Sequence, residues 1–433
     1  MANTSSKPPF QTLYRLGQAI SRAFQKANCN QDALPKIAAE ELQSIDTTWS
    51  FDPAEIANFL LNSSIPQTPG SQFSDLPLTV YQDRDFYVQI LTWSQSTTAI
   101  HQHGFSGAFR VLAGSSIHSI YNFNAEFELG PDLAVGQIHA LGSEYLPRGS
   151  IREISPGSNG LIHSLYHLDE PSLTVVVRTF AHEAYLPQLR LIRPGLMMKT
   201  DRLRNDSLVR MLSKLLHITQ RLHPEQIAAI WLTKIATLDF PRLSQLYLDN
   251  RNQLGKTEEA FFNLIRNHHG HYVEALQDAG KFSNRINRIS QTRKISSDPE
   301  QRFLLALLMN ATDRQSILRM VNARFPGQDA VRLVADWLLR LRRPQADFGR
   351  RLKEALGRID ETAYSLGKAL GANMPDDMDE QQLINLFKTS LTSTDPGHDT
   401  EGSDHHQQGP TSKVFRSFFD QLKQVEELEP LFR

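Results

Sequence analysis

IHQHGFSGAFRVLAG, residues 100–114, decides what kind of domain this chain builds. Two histidines one residue apart enter a run of apolar residues that ends on Gly114. Side chains alternate along a β-strand, so His101 and His103 project to the same face and one sheet edge presents two imidazoles. Alone, such a pair is common and reads sooner as two ordinary strand histidines than as metal ligands. A second segment changes its weight: PRGSIREISPGSNGLIHSLYHLDEPSLTVVVRTF, residues 147–180, supplies a turn, a third histidine (His163) opening a strand, and a closing strand. Around these lie LTVYQ, FYVQILTW, SIHSIYNF and GQIHAL, short strand-like runs separated by turn residues. That rhythm predicts an antiparallel barrel or jelly roll.

The rest of the chain has a different texture. At 433 residues it has room for two or three domains, and 40% hydrophobic content suffices for ordinary cores. Lys+Arg 46 against Asp+Glu 47 gives a net charge of −1, which points to neither an obligate nucleic-acid nor a membrane partner. Cys29 is the one cysteine, which excludes an intrachain disulfide, a Cys-rich zinc site and a Cys-x-x-Cys redox pair. The start, MANTSSKPPF, lacks a basic segment followed by an apolar core, and nowhere do about 18 apolar residues run together. A soluble cytoplasmic protein is expected. Helical spacing marks residues 1–70 as a helical preface, with Asp52-Pro53 as a capped helix start. Residues 71–195 form the barrel, and the β texture ends at Arg193-Pro194. Residues 196–388 are an all-α domain, 389–413 a polar disordered linker, and 414–433 a last helix.

The two histidine segments resemble the paired motifs of the cupin superfamily. In the first, His101 and His103 are followed by Gly107 where a glutamate ligand would stand, and by Gly114 at the motif's glycine. In the second, Gly149, Pro156 and His163 match the glycine, the turn proline and the ligand histidine, and His167 replaces the asparagine. A three-histidine cupin without the glutamate resembles the thiol dioxygenases, the bacterial cysteine dioxygenase-like proteins above all, over roughly residues 50–185. The resemblance implies an α+β fold: a small cupin β-barrel (jelly roll), a helical N-terminal preface and a separate all-α C-terminal domain. It implies that His101, His103 and His163 hold one Fe(II), or another divalent transition metal, and that the activity is an O2-dependent oxidation of a small-molecule or peptide thiol. Free cysteine is not the expected substrate. Residues 64–83 contain no Arg or Lys to bind its carboxylate, the family's Ser-x-His-x-Tyr strand corresponds to Thr174, Val176 and Arg178, and its cross-linking cysteine position is Ala108.

Several residues carry two readings. Alternation puts Arg178 on one face with Thr174 and Val176, and the resemblance implies that this face looks into the barrel; Arg178 then either anchors an anionic substrate as a catalytic-site residue or pairs with Glu144 or Glu153. His167 is either a partner or gate of the site, again catalytic, or a strand histidine with no role in it. Tyr87, Trp93, Phe105 and Tyr121 line a pocket or fill a core. His268, His269 and His271 are dense but lack a fourth ligand at matching spacing. Cys29 is a spectator in a turn. The basic surplus of the helical half, in Arg340–Arg343 and Arg350–Lys353, reads as solvated helix faces or as a protein-partner surface. The alternative to an enzyme is a non-enzymatic metal- or ligand-binding cupin whose helical domain is regulatory.

Overall fold

A computed structural model of the chain describes residues 9–45, 49–67, 74–94, 98–130, 132–157, 160–182, 188–199, 203, 205–341 and 423–431. The expected linker, the Arg350–Lys353 cluster and most of the expected last helix lie outside the described residues; of that helix, Glu426–Leu431 is a 3-10 turn.

The preface forms α1 (Pro9–Lys26), α2 (Leu34–Leu42) and α3 (Pro53–Asn62). Asp52 caps α3 as its sequence predicts: Oδ1 accepts from the backbone N–H of Ala54 at 2.8 Å and of Glu55 at 3.2 Å. Among the described residues eleven strands follow: β1 (Leu76–Gln82), β2 (Phe86–Trp93), β3 (Ile100–Gln102), β4 (Gly107–Ala113), β5 (Ser116–Glu128), β6 (Leu133–Leu146), β7 (Ile151–Ile154), β8 (Ile162–His167), β9 (Ser172–Thr179), β10 (Leu189–Ile192) and β11 (Leu196–Met198). One sheet has the order β1-β2-β9-β4-β7, and β10-β11-β6-β5-β8-β3 close into a six-stranded barrel.

Period-2 alternation decides which way the five-stranded sheet looks. Phe86, Val88 and Ile90 of β2 and Leu173, Val175 and Val177 of β9 pack outward against Leu13, Ile20 and Phe24 of α1 and Leu34 and Leu42 of α2. Their neighbours Leu91, Trp93 and Val176 pack inward with Phe105, Phe109, Ile154 and Leu165. Buried Arg110 fastens the preface to the sheet by donating to the carbonyls of Leu42 and Ile45 at the end of α2, where a cation also suits the helix dipole.

The β texture continues past Arg193-Pro194, contrary to the sequence expectation. Arg193, Pro194 and Gly195 form the turn of a short hairpin whose arms are too brief to announce themselves by alternation. β10 pairs with β3, and β11 pairs with β6, so this hairpin closes the barrel.

A helical region follows in the C-terminal half, beginning with α4 (Ser207–Leu222), α5 (Ile227–Thr233), α6 (Phe240–Asn250), α7 (Glu258–His269) and α8 (Val273–Ile295). Two compact units result. The first comprises residues 1–141 and 146–282, the second 142–145 and 283–433. The passage from strands to helices near residue 200 and the division between units are therefore different places in the chain. Within the first unit, Leu133, Val135, Ile192, Leu196 and Met198 of the barrel share a core with Leu216, Trp231, Leu243 and Phe261. Within the second, α9 (Pro299–Asn310), α10 (Arg314–Arg324) and α11 (Ala330–Leu341) pack around Leu304, Ile317, Val334 and Trp337. Among the described residues no helix is long and apolar enough to cross a membrane.

Candidate metal centre

β3 lies between β8 and β10, and its register with β8 sets His101 directly opposite His163. His103 follows one alternation later. The ligand atoms of these three buried side chains lie within 4.8 Å of one another, and His103 Nε2 is 2.8 Å from His163 Nε2. Among the described residues no other three histidines, cysteines or carboxylates converge in this way, and His268, His269 and His271 do not.

Two of the three rings are held from behind. His101 turns Nδ1 to the carbonyl of Ala99 at 2.7 Å, which makes that nitrogen the protonated one and leaves the lone pair on Nε2. His163 places Nδ1 2.8 Å from Nε2 of His118, a buried residue of β5. A metal-ligating histidine characteristically engages a partner through its other ring nitrogen, which fixes both tautomer and orientation. His103 Nδ1 is buried without a hydrogen-bond partner among the described residues. Sequence reasoning missed His118. A single histidine on a strand gives no spacing signal, although it sits on the SIHSIYNF run and shares a face with Ser116 and Ile120.

Burial keeps these imidazoles neutral. His101 is lowered to about 4, and His103 and His163 well below the usual 6.5, in each case chiefly by desolvation. Three uncharged nitrogen donors facing one point fit a borderline divalent cation such as Fe(II), Ni(II), Cu(II) or Zn(II).

The glutamate ligand of related motifs has no room here. A Cβ on Gly107 would stand 1.9 Å from the carbonyl oxygen of Val177 and 3.0 Å from Cα of Arg178, since β4 approaches β9 too closely for any side chain. Gly114 and Gly149 have φ of 73° and 91°, which explains glycine at both turn positions.

In front of the histidines lies a cavity of about 70 Å³. Apolar Leu91, Phe109, Ile154, Leu165 and Val176 form most of its wall, with Tyr87, Trp93 and Phe105 of the expected aromatic set; Tyr121 is not part of it. Arg178, Thr174 and Val176 face it together, as the alternation of β9 predicts. Neither Glu144 nor Glu153 forms an ion pair with Arg178. Its guanidinium lies over the rings of Phe105 at 3.7 Å and Tyr87 at 5.4 Å, and no carboxylate among the described residues forms an ion pair with it. Cation–π contact offsets part of the cost of burying the charge while leaving the N–H fork able to donate. Burial lowers its pKa, yet at neutral pH it remains cationic.

His167 does not line the cavity. It stacks on Trp93 with centroids 4.4 Å apart, and its Nδ1 is 3.0 Å from Ser116 Oγ.

These buried histidines should make the metal-free protein acid-sensitive. Burial holds His101 at about 4 and His167 at about 3, so below 6.5 the unfolded chain binds protons that the folded chain refuses. Stability then rises with pH, and each of the two groups removes about 1.4 kcal/mol per pH unit as pH falls from 6.5 towards 4. Urea unfolding of metal-free protein between about pH 6.5 and 5, above the carboxylate range, reads this directly. His167→Gln should flatten the slope by nearly one proton, whereas a midpoint independent of pH would show that these rings reach solvent.

No family model matches the sequence, and no curated protein does. Solved structures similar to part of the chain include the hydroquinone 1,2-dioxygenase of Sphingomonas sp. with 4-hydroxybenzoate bound, at 12% identity over 26% of this chain and 69% of that one, TM-score 0.20. Another is the DMSP lyase of Ruegeria pomeroyi, at 15% identity over 42% and 96%, TM-score 0.23. A third is a cupin-2 domain containing protein of Shewanella frigidimarina, at 12% identity over 31% and 93%, TM-score 0.17. Overlap of this extent decides nothing about activity, which the chain's own residues must carry.

Proposed function

We propose that the barrel is a metal-binding cupin acting as a mononuclear non-haem iron oxygenase on a small anionic substrate, in the manner of the thiol dioxygenases but not on free cysteine. The observation that supports it is the shared cavity: three neutral imidazoles converge at one side, and an arginine without an ion-pair partner among the described residues faces the same space. His101, His103 and His163 would hold a divalent metal through Nε2, and such an ion would supply Lewis acidity and, as iron, redox chemistry with dioxygen. The chain's own residues do the rest. Ala99 and His118 hold two of the rings in place. Arg178 offers a planar fork to a carboxylate, sulfonate or phosphate, and the aromatic and aliphatic wall excludes water, which strengthens that contact. At about 70 Å³ the cavity suits a small molecule rather than a peptide.

One observation favours a non-enzymatic ligand-binding cupin. Among the described lining residues the titratable groups other than the histidines are Tyr87 and Arg178, so no carboxylate is present as a general base. Oxygen uptake by the Fe(II)-loaded protein separates the two readings, using thiols of one size with and without an anionic group. Uptake with the anionic members supports the oxygenase; saturable binding without uptake for every member makes the barrel a sensor. Arg178→Gln should weaken the anionic ligand by roughly tenfold to a hundredfold, the worth of a charge-assisted hydrogen bond, with metal content unchanged. Loss of metal or of folding in that variant, with affinity intact in what remains, would assign Arg178 a structural role.

A further inference from the structure

Helix α4 has two apolar faces and buries one of them. Val209, Leu216 and Thr219 face the core of the first unit, with Leu212 packed against it. On the outer side Leu208, Met211, Leu215, Ile218 and Leu222 are 45%, 63%, 48%, 53% and 65% exposed. Scattered exposed leucines are ordinary. Five along one helix, alternately three and four residues apart, are the a and d positions of a heptad seam, the pattern that lets a second helix pack by knobs into holes. Beside the seam run Arg210, Lys214, His217 and Arg221, all exposed, and the helix contains no Asp or Glu.

The helix is held ready for a partner. Asp206 caps it through Val209 N–H at 3.0 Å and also accepts from Arg242 Nε at 3.0 Å, while Ser213 hydrogen-bonds with Asn250 of α6. Two heptads are too short to fold as an isolated helix, but this one is already folded by its inner face, so an incoming helix bears the ordering cost alone.

We propose that α4 is a docking helix for an amphipathic helix of another protein, one with its own heptad stripe and Asp or Glu on the flanks. Charge selects this occupant over two others. A second copy of the chain would bring the same basic row, and a symmetric pair would set like charges together. An anionic bilayer would meet the charge, but interfacial helices use a broad apolar arc with aromatic anchors, and this seam is narrow and has no Trp, Tyr or Phe.

The test uses the full chain and two synthetic helical peptides with leucine at a and d, one flanked by glutamate and one by lysine. Fluorescence anisotropy should show the glutamate peptide binding at least about tenfold more tightly, with the preference shrinking as salt rises from about 0.05 to 0.5 M. Leu215→Gln with Ile218→Gln, both at exposed positions, should abolish binding, and Lys214→Glu with Arg221→Glu should transfer the preference to the lysine peptide. Equal binding of the two peptides, or of neither, overturns the proposal. So does a dimer in sedimentation that the Leu215→Gln, Ile218→Gln pair dissolves, or stripe-dependent binding to phosphatidylserine vesicles in place of the glutamate peptide.

Discussion

Replacing His163 with alanine should remove the metal altogether. The proposed site has three ligands, and the two that remain, His101 and His103, stand on one short strand and the residue after it. Two imidazoles rarely hold a first-row ion against water, and the metal affinity of a protein site is built from the complete donor set. His163 also makes the His118 contact, so its loss removes a contact between two buried rings as well. Metal analysis of the purified variant should find content near zero, against one ion per chain in the parent. His118→Ala should fall between, losing about 10- to 100-fold in affinity, as expected of a residue that orients a ligand without touching the ion. If both variants keep full metal content, the three histidines are not the ligands. If His118→Ala loses as much as His163→Ala, His118 is itself a ligand.

Gly107→Glu should unfold the barrel rather than complete it. Comparison with glutamate-bearing cupin motifs invites this substitution, because it would restore the carboxylate at its expected position. The backbone forbids it. β4 is an inner strand of its sheet, with Gly107 opposite Arg178 of β9 on one side and Ile154 of β7 on the other, and any Cβ lies inside the van der Waals envelope of the Val177 carbonyl. Relief requires β4 and β9 to part, which breaks ladder hydrogen bonds and opens the packing of Phe109, Val176 and Val177 between helices and cavity. Strain and lost packing of this kind cost several kcal/mol, on the order of 3–5, a large fraction of a domain's stability. Gly107→Ala should be destabilising for the same reason. Chemical denaturation of both variants checks this; a stably folded Gly107→Glu with tighter metal binding would show that the two strands separate easily.

How far the sequence could be read depended on whether a local period carried the information. The three converging histidines were legible because a strand's period of two puts His101 and His103 on one face, and because His163 opens a strand after a turn. The shared face of Thr174, Val176 and Arg178 followed from the same period, whereas its inward direction came from the family resemblance. The surroundings of Arg178 were not legible, since they depend on which rings β2 and the loop before β4 bring near: Tyr87 and Phe105 lie far from it in the chain. His118 was invisible because a lone strand histidine looks alike whether it faces a metal ligand or a serine. The β10–β11 hairpin was missed because arms of four and three residues are too short to show alternation. In α4 the amphipathic spacing was plain, but a helix with two apolar stripes does not announce which one its fold will bury.

That hairpin also decides how much polypeptide the metal site needs. β3 is three residues long and takes half of its lateral support from β10, with Arg190 opposite His101. A fragment ending near residue 185, where the family resemblance ends, would leave β3 as an exposed edge and the β6 margin open. Extending it to Met198 restores the ring of strands but bares Leu196 and Met198, which α4–α7 cover. A polypeptide that keeps both the ring of strands and its cover therefore runs on to about Phe282. Evolutionary exchange or recombinant trimming of the helical region would thus be felt at the three histidines, so this barrel is not a portable module.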